Sequence, residues 1–275
     1  GQIGQAVNDV VDKLEFEMLD TDVDDLDVTD TDEVLRFGEM NRPDIIINCS
    51  GMTDISSCEE NPSQAFKVNA LGARNLAIVA AKMQAKMVQL STDDVFDGKS
   101  TEPYTEFDIT NPGTVYGKSK LAGENYVKEF TTKHFIVRST WVYGKGQNFI
   151  NGFLKKVDAG EQLSIASDQF GSPTSANELA RFLLHLVHTS EYGTYHATNK
   201  GVCSRYAFAQ EILKMTGKTA SMQPVPTVMS DFSKVRPAYA VLDNFIMSMV
   251  PIYDFPDWQD SLREYLEERG LYHAE

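Results

Sequence analysis

Cysteine is scarce in this chain. Cys49, Cys58 and Cys203 are the only three among 275 residues. The count is odd and no C-x-x-C pair occurs, so neither a disulfide framework nor a zinc site is indicated. Positive charge is also short: 25 Lys and Arg stand against 40 Asp and Glu, for a net charge of −15. Such a chain repels phosphates, so neither nucleic acid nor an anionic membrane surface is expected as a partner. Long apolar runs are missing as well; none approaches the roughly 20 residues of a membrane helix. The opening residues show no basic, apolar targeting segment. With thiols left reduced, the expectation is a soluble, cytoplasmic globular protein. Apolar residues make up 42% of the chain, enough for a sizeable core.

The first half alternates short β-branched runs with helical patterns. Asp44 to Cys49 reads D-I-I-I-N-C, a strand of the kind buried on both faces of a parallel sheet. Asn61-Pro62 opens a helix, since Pro suits the first helical position. That helix is expected to run to Met83, with Phe66, Ala70, Ala73, Ala77 and Ala81 near helical spacing. Lys86–Leu90 and Phe135–Arg138 read as further strands, with a helix over Tyr116–Phe130 between them. Strand, helix, strand, helix implies βαβ units and a doubly wound parallel sheet. In the second half, helices are expected over 148–158, 177–188, 205–215 and 257–269, and strands over 162–166 and 193–197. The expected fold class is therefore α/β: a Rossmann-type sheet with a smaller α/β substrate domain from the C-terminal part.

Gly1-Gln2-Ile3-Gly4 precedes the helical pattern Ala6, Val7, Val10, Val11 and Leu14. G-x-x-G alone is weak. An acidic residue about twenty positions on gives it the spacing of a Rossmann phosphate loop, with amides facing a pyrophosphate at a helix N-terminus. Phe16–Leu19 is expected as the second strand, with Asp20 at its end to hold the adenosine ribose hydroxyls. On this reading the sequence starts inside the motif, without its first strand and leading glycine. The dinucleotide-binding domain is then expected over 1–147, with parts of 175–200 and 225–245 returning to it, and 148–275 is mainly substrate-binding. Asp20 to Glu33 is strongly acidic, but Leu26 and Asp27 occupy the fifth and sixth places of any calcium-loop register begun at Asp22. The sixth needs Gly, so a solvated acidic loop is expected there.

Tyr116-Gly117-Lys118-Ser119-Lys120 is a Y-x-x-x-K, and residues four apart share one helix face. A free tyrosine titrates near pH ~10, so it is a poor acid–base group at neutrality. An ammonium on the same face favours the phenolate and makes a tunable proton donor. Ser91-Thr92-Asp93 ends the strand upstream, and ligands of parallel sheets sit beyond the carboxyl ends of strands. A hydroxyl there can hydrogen-bond the same carbonyl that the tyrosine protonates.

These residues resemble the extended short-chain dehydrogenase/reductases. S-T-D-D-V-F-D-G (91–98), V-Y-G-K-S-K-L-A-G-E (115–124), R-S-T-W-V-Y-G (138–144), S-D-Q-F-G-S-P-T (167–174), Arg236-Pro237 and P-D-W (256–258) resemble, more closely, the dTDP-4-dehydrorhamnose reductase family. The resemblance implies NADH- or NADPH-dependent reduction of the C4 ketone of a dTDP-4-dehydro-sugar, in nucleotide-sugar biosynthesis. It implies Tyr116, Lys120 and Thr92 as catalytic residues, with Lys120 also holding the nicotinamide ribose. It places Gly1, Gln2 and Ile3 on the pyrophosphate, Asp20 on the adenosine ribose, Asp27 and Val28 beside the adenine, and Gly51, Met52 and Thr53 along the cofactor cleft. Thr92, Asp93 and Trp141 would contact the sugar. Taken from the residues alone, Trp141 reads equally well as a core aromatic, and Thr53 as a loop or helix-cap hydroxyl.

Two departures stand out. Asp94 occupies a position where this family usually has Tyr, and Met52 one where His or Tyr is frequent. An acid after Thr-Asp also resembles nucleotide-sugar 4,6-dehydratases, which stay an alternative, as does a non-catalytic nucleotide-binding subunit like the regulatory partners of methionine adenosyltransferase. The family's occasional magnesium contact uses a glutamate where this chain has Ala6, so no metal is expected. Asp20 repels a 2′-phosphate and leans toward NADH. A homodimer is compatible with the sequence.

Overall fold

Four parallel strands form the central sheet in the computed structural model, which describes residues 1–229 and 238–273. In spatial order they are Ile45–Asn48, Lys86–Thr92, His134–Ser139 and Gly193–His196. Met87, Val88, Phe135, Ile136 and Val137 are fully buried, as the two-sided cover of a parallel sheet demands. Successive side chains of each strand serve opposite layers. Val88, Leu90, Phe135 and Val137 pack with Ala6 and Val7 of the Gln2–Val10 helix and with Leu179, Phe182 and Leu183 of the Ala176–His188 helix. Met87 and Ile136 face the other way, into a core shared with Ala73, Ala77 and Ala80 of the Ala73–Met83 helix and Val127 of the Val115–Phe130 helix. Helices thus cover both faces of the sheet, the doubly wound arrangement expected. The Ala176–His188 helix and the strand after it belong to this central body.

A separate core gathers Trp141, Tyr143, Phe153, Leu163, Phe208, Trp258 and Leu262. Here the helices Phe149–Asp158, Arg205–Thr216 and Trp258–Glu268 surround Leu163–Ala166, which pairs in parallel with Met222–Val225. A small three-stranded sheet joins Tyr239–Ala240, Phe170–Gly171 and Cys203–Ser204. Leu242 bridges to Tyr104, beside the central body. The Arg236-Pro237 pair lies outside the described residues.

Three expectations need correction. Phe16–Leu19 does not form a strand. A strand persists only where a neighbour takes up its N–H and C=O groups, and none of the described strands lies beside this segment. Its alternation survives even so: Phe16 and Met18 pack on the central core while Leu19 is exposed. The first helix stops at Val10, and Leu14, expected on its apolar face, is almost fully exposed. The helix expected over 62–83 is continuous but not uniform. Pro62–Phe66 and Ala73–Met83 are α-helical, and Lys67–Gly72 between them is a π-helical turn.

Candidate active site

The carboxyl ends of the first three strands lie side by side, where parallel sheets hold their ligands, and a buried polar pair forms the floor beneath them. Asn48, last residue of its strand, donates through Nδ2 to Gln89 Oε1 at 2.8 Å on the neighbouring strand. Its Oδ1 accepts from Ser50 N at 3.0 Å and Ser50 Oγ at 2.6 Å, which bends the chain into the Cys49–Thr53 turn. Cys49 faces the first helix, where a Cβ added to Gly4 would lie 3.6 Å from the Cys49 Cβ. Burial pushes the Cys49 thiol up to about 11, so it stays neutral and unreactive. Thr53 is exposed and is not the cap of the helix that follows; Asp54 is, accepting from Ser57 N at 2.9 Å.

The Val115–Phe130 helix reaches this floor because two of its positions are glycine. A Cβ on Gly117 would sit 2.9 Å from the Asp94 carbonyl carbon and closer still to its oxygen. A Cβ on Gly123 would run into the Asn69 carbonyl oxygen in the π-helical turn. The helix therefore lies backbone-close to both the Thr92–Asp94 turn and the helix behind the cleft. Thr114 caps it, accepting from Gly117 N at 2.9 Å. The Tyr116 ring packs on Ile55, Cys58 and Ala65 and meets Met52. Lys120 is buried, and its Nζ lies 3.7 Å from where a Cβ on Gly51 would stand. Glycine at 51 thus leaves open space in front of the amine. Burial pulls the Lys120 ammonium down to about 8, against the opposing charge of Glu124.

Asn69, not among the residues expected at the site, ties these parts together. Its Oδ1 accepts from Met52 N at 2.8 Å, and its Nδ2 donates to Met52 O and to Ser119 Oγ, both at 2.9 Å. Ser119 Oγ donates in turn to Tyr116 O at 2.8 Å. Lys67, Arg74 and Asn75 in the same stretch are polar too, so no local pattern set it apart. A second asparagine, Asn75, donates to Val28 O at 3.0 Å, while Val28 packs on Gly72, where a Cβ would come within 2.8 Å of it. Asp27 stands beside it, and hydrogen bonds from Thr29 hold its carboxyl below the usual range.

Gly1 caps the first helix without a side-chain bond, and a Cβ there would meet nothing within 4 Å. The helix-start amides, the Lys120 ammonium and the bare Gly51 fit a dinucleotide: amides for a pyrophosphate, an ammonium for a ribose. Gln2 donates through Nε2 to Gln147 O at 3.1 Å, pinning the 144–148 loop to the helix start, and Ile3 packs on the central core. Asp20 is exposed and accepts from Asn8 Nδ2, so the carboxylate reaches the first helix although no strand carries it.

Thr92 ends its strand opposite Ser139 of the next one. Its Oγ1 donates to Asp93 Oδ1 at 3.0 Å and accepts from Asp94 N at 3.2 Å, capping a 3₁₀ turn over Asp93–Val95. Asp94 is buried within that turn, under the start of the Val115–Phe130 helix. Trp141 follows two residues after Ser139 and adopts φ 47°, a left-handed conformation costly for a bulky residue. Its indole is buried in the second core. Gly171 backs it closely, a Cβ there falling 2.8 Å from Trp141 Cδ2. On its face lies the Arg205 guanidinium, 3.4 Å from the indole centroid and 4.7 Å from the Phe149 ring. Arg205, 64 positions away in sequence, gave no local sign.

Known proteins resemble this chain over nearly its whole length. A family model described as the RmlD substrate binding domain matches residues 1–270. Among curated proteins, the spore coat polysaccharide biosynthesis protein SpsK of Bacillus subtilis is 34% identical over 98% of this chain and 95% of its own length. A solved dTDP-4-dehydrorhamnose reductase from Clostridium acetobutylicum superposes with a TM-score of 0.95 at 40% identity, covering 98% of this chain and 96% of that one. The dTDP-4-dehydrorhamnose reductase of Bacillus anthracis, solved in complex with NADP, superposes with a TM-score of 0.94 at 36% identity over the same shares. The chain belongs to the dTDP-4-dehydrorhamnose reductase family, the family of the RmlD substrate binding domain.

Proposed function

We propose that this protein is an NAD(P)H-dependent oxidoreductase that reduces the C4 ketone of dTDP-4-dehydro-β-L-rhamnose to dTDP-L-rhamnose, in the biosynthesis of a nucleotide-sugar precursor. Bound nicotinamide dinucleotide supplies the hydride. The chain's own residues bind, orient and move the proton. Gly1, Gln2 and Ile3 present helix-start amides to the pyrophosphate, and Asp20 lies where the adenosine ribose hydroxyls would be held. Asp27 and Val28 line the adenine end, and Gly51, Met52 and Thr53 the nicotinamide end.

Tyr116 donates its phenolic proton to the C4 oxygen as that carbon is reduced, and solvent later restores the proton. Lys120 stabilises the phenolate left behind and holds the nicotinamide ribose through the gap above Gly51. Thr92 turns its hydroxyl from Asp93 to the same C4 oxygen. Asp93 and Trp141 orient the sugar ring. The observation that carries this reading is one helix docked against both the Thr92–Asp94 turn, through Gly117, and the Gly51 turn, through Lys120.

The test is loss of reduced-nicotinamide absorbance with the 4-keto sugar nucleotide, using wild type and Tyr116→Phe. Wild type is expected to turn over, and the variant to lose about 10²–10⁴-fold in kcat, the usual worth of a general acid. Undiminished turnover by Tyr116→Phe would remove the assignment. Among the described residues, no helix is long and apolar enough to cross a membrane.

A further inference from the structure

Tyr116, Lys120 and Glu124 are spaced i, i+4, i+8 on the Val115–Phe130 helix, so they stand in one file along it. The third member is fully buried and firmly held. Arg138 grips its carboxylate bidentately, with Nε donating to Oε1 at 2.9 Å and Nη2 to Oε2 at 2.7 Å. Ser91 Oγ donates to Oε1 at 2.5 Å, and Lys128 Nζ lies 3.7 Å from Oε2. A carboxylate held by this many donors cannot swing away. It also spans from the helix to the strands that end in Thr92 and Ser139.

We propose that Glu124 is a positioning residue of the reductase, a fixed negative charge that keeps Lys120 protonated through the working pH range, while Arg138 sets how much of that charge Lys120 feels. The inference rests on the role given to Lys120 under the proposed function. The environment of Lys120 leaves few alternatives. Its own helix offers Tyr116 and Glu124, and the first strand end offers Cys49, which remains a neutral thiol. The turns packed nearest to it present Gly51 and the amide of Asn69. Asp93 and Asp94 belong to the turn that meets the helix at Gly117, about one turn away. Arg138, from the third strand, faces Glu124. Burial disfavours the ammonium, and Glu124 is the nearby charge that opposes it.

The experiment is an NMR titration of the whole protein carrying ε-¹³C-lysine, with the Lys120 signal assigned by its loss in Lys120→Arg. Glu124→Gln is expected to lower the Lys120 midpoint by about one pH unit, because a neighbouring charge is lost while Arg138 keeps its own. The double variant Glu124→Gln/Arg138→Met removes both charges and is expected to lie between Glu124→Gln and wild type. The alkaline limb of kcat/KM should move down with the midpoint in each variant, which a purely structural defect would not produce. An unmoved midpoint in folded Glu124→Gln overturns the proposal. Should that variant fail to fold, the double variant decides, and a midpoint at or above the wild-type value overturns it. The titration needs no turnover, so a wild type inactive on the 4-keto sugar would refute the proposed function without touching this result.

Discussion

On the Tyr116 side of the cleft, backbone meets backbone: Gly117 lies against Asp94 and Gly123 against Asn69, with no room for a Cβ at either. On the Trp141 side, an indole is clasped between Gly171 and the Arg205 guanidinium. The first kind of contact places atoms to a few tenths of an ångström, because peptide groups do not rotate out of the way. The second is a stack of planar groups, which slides and tilts at modest cost. The rigid wall carries the groups to which proton transfer is assigned. The softer wall carries the group assigned to orient the sugar.

Alanine in place of glycine probes the two walls in the same way. Gly117→Ala is expected to lift the helix from the Thr92–Asp94 turn and lower kcat by about 10²-fold, the scale of a one-ångström misplacement. Circular dichroism should show the helices intact. Gly171→Ala presses on the indole instead, and is expected to raise KM about tenfold with kcat changed far less, as loss of binding common to ground and transition states requires. Equal kcat losses in the two variants would dissolve the distinction between the walls. Arg205→Met keeps the bulk but removes the charge. A roughly fivefold rise in KM is expected, within the range of a partly desolvated cation–π contact, and Arg205→Lys should recover part of it.

The smallest effect lies behind the rigid wall. His196 is fully buried, with Nδ1 3.0 Å from Tyr104 O and 3.1 Å from Asp243 O. Burial, then Arg138, pulls its imidazole down to about 3. The unfolded chain takes up that proton near pH ~6.5, whereas the folded one does not until about 3. The folded state therefore loses stability as the pH falls through that interval. Urea midpoints of wild type should drop with acid more steeply than those of His196→Asn.

Much of this was legible from local pattern. The strands at 45–48, 86–92 and 134–139 were visible because a two-sided burial needs an unbroken apolar run. Tyr116 and Lys120 were visible because four-residue spacing is a helix face. The same rule extended by one more step reaches Glu124, within the motif already singled out. Phe16–Leu19 misled because its alternation is real, while a strand also needs a neighbour to pair with. Arg205 and Asn69 were hidden for a different reason. Their partners are set by tertiary contacts across 64 and 17 positions, and no local period reports those.

The π-helical turn at Lys67–Gly72 has a consequence for how this chain tolerates change in length. A π turn holds one more residue than an α turn, so deleting a single residue there would restore a regular helix. Everything on one side of the cut would then rotate by about 100° relative to the other. Asn69 would swing off Met52 and Ser119, or Asn75 off Val28, and the two ends of the cleft would fall out of phase. Point substitutions at the exposed positions of this helix should be absorbed readily, but its residue count is locked.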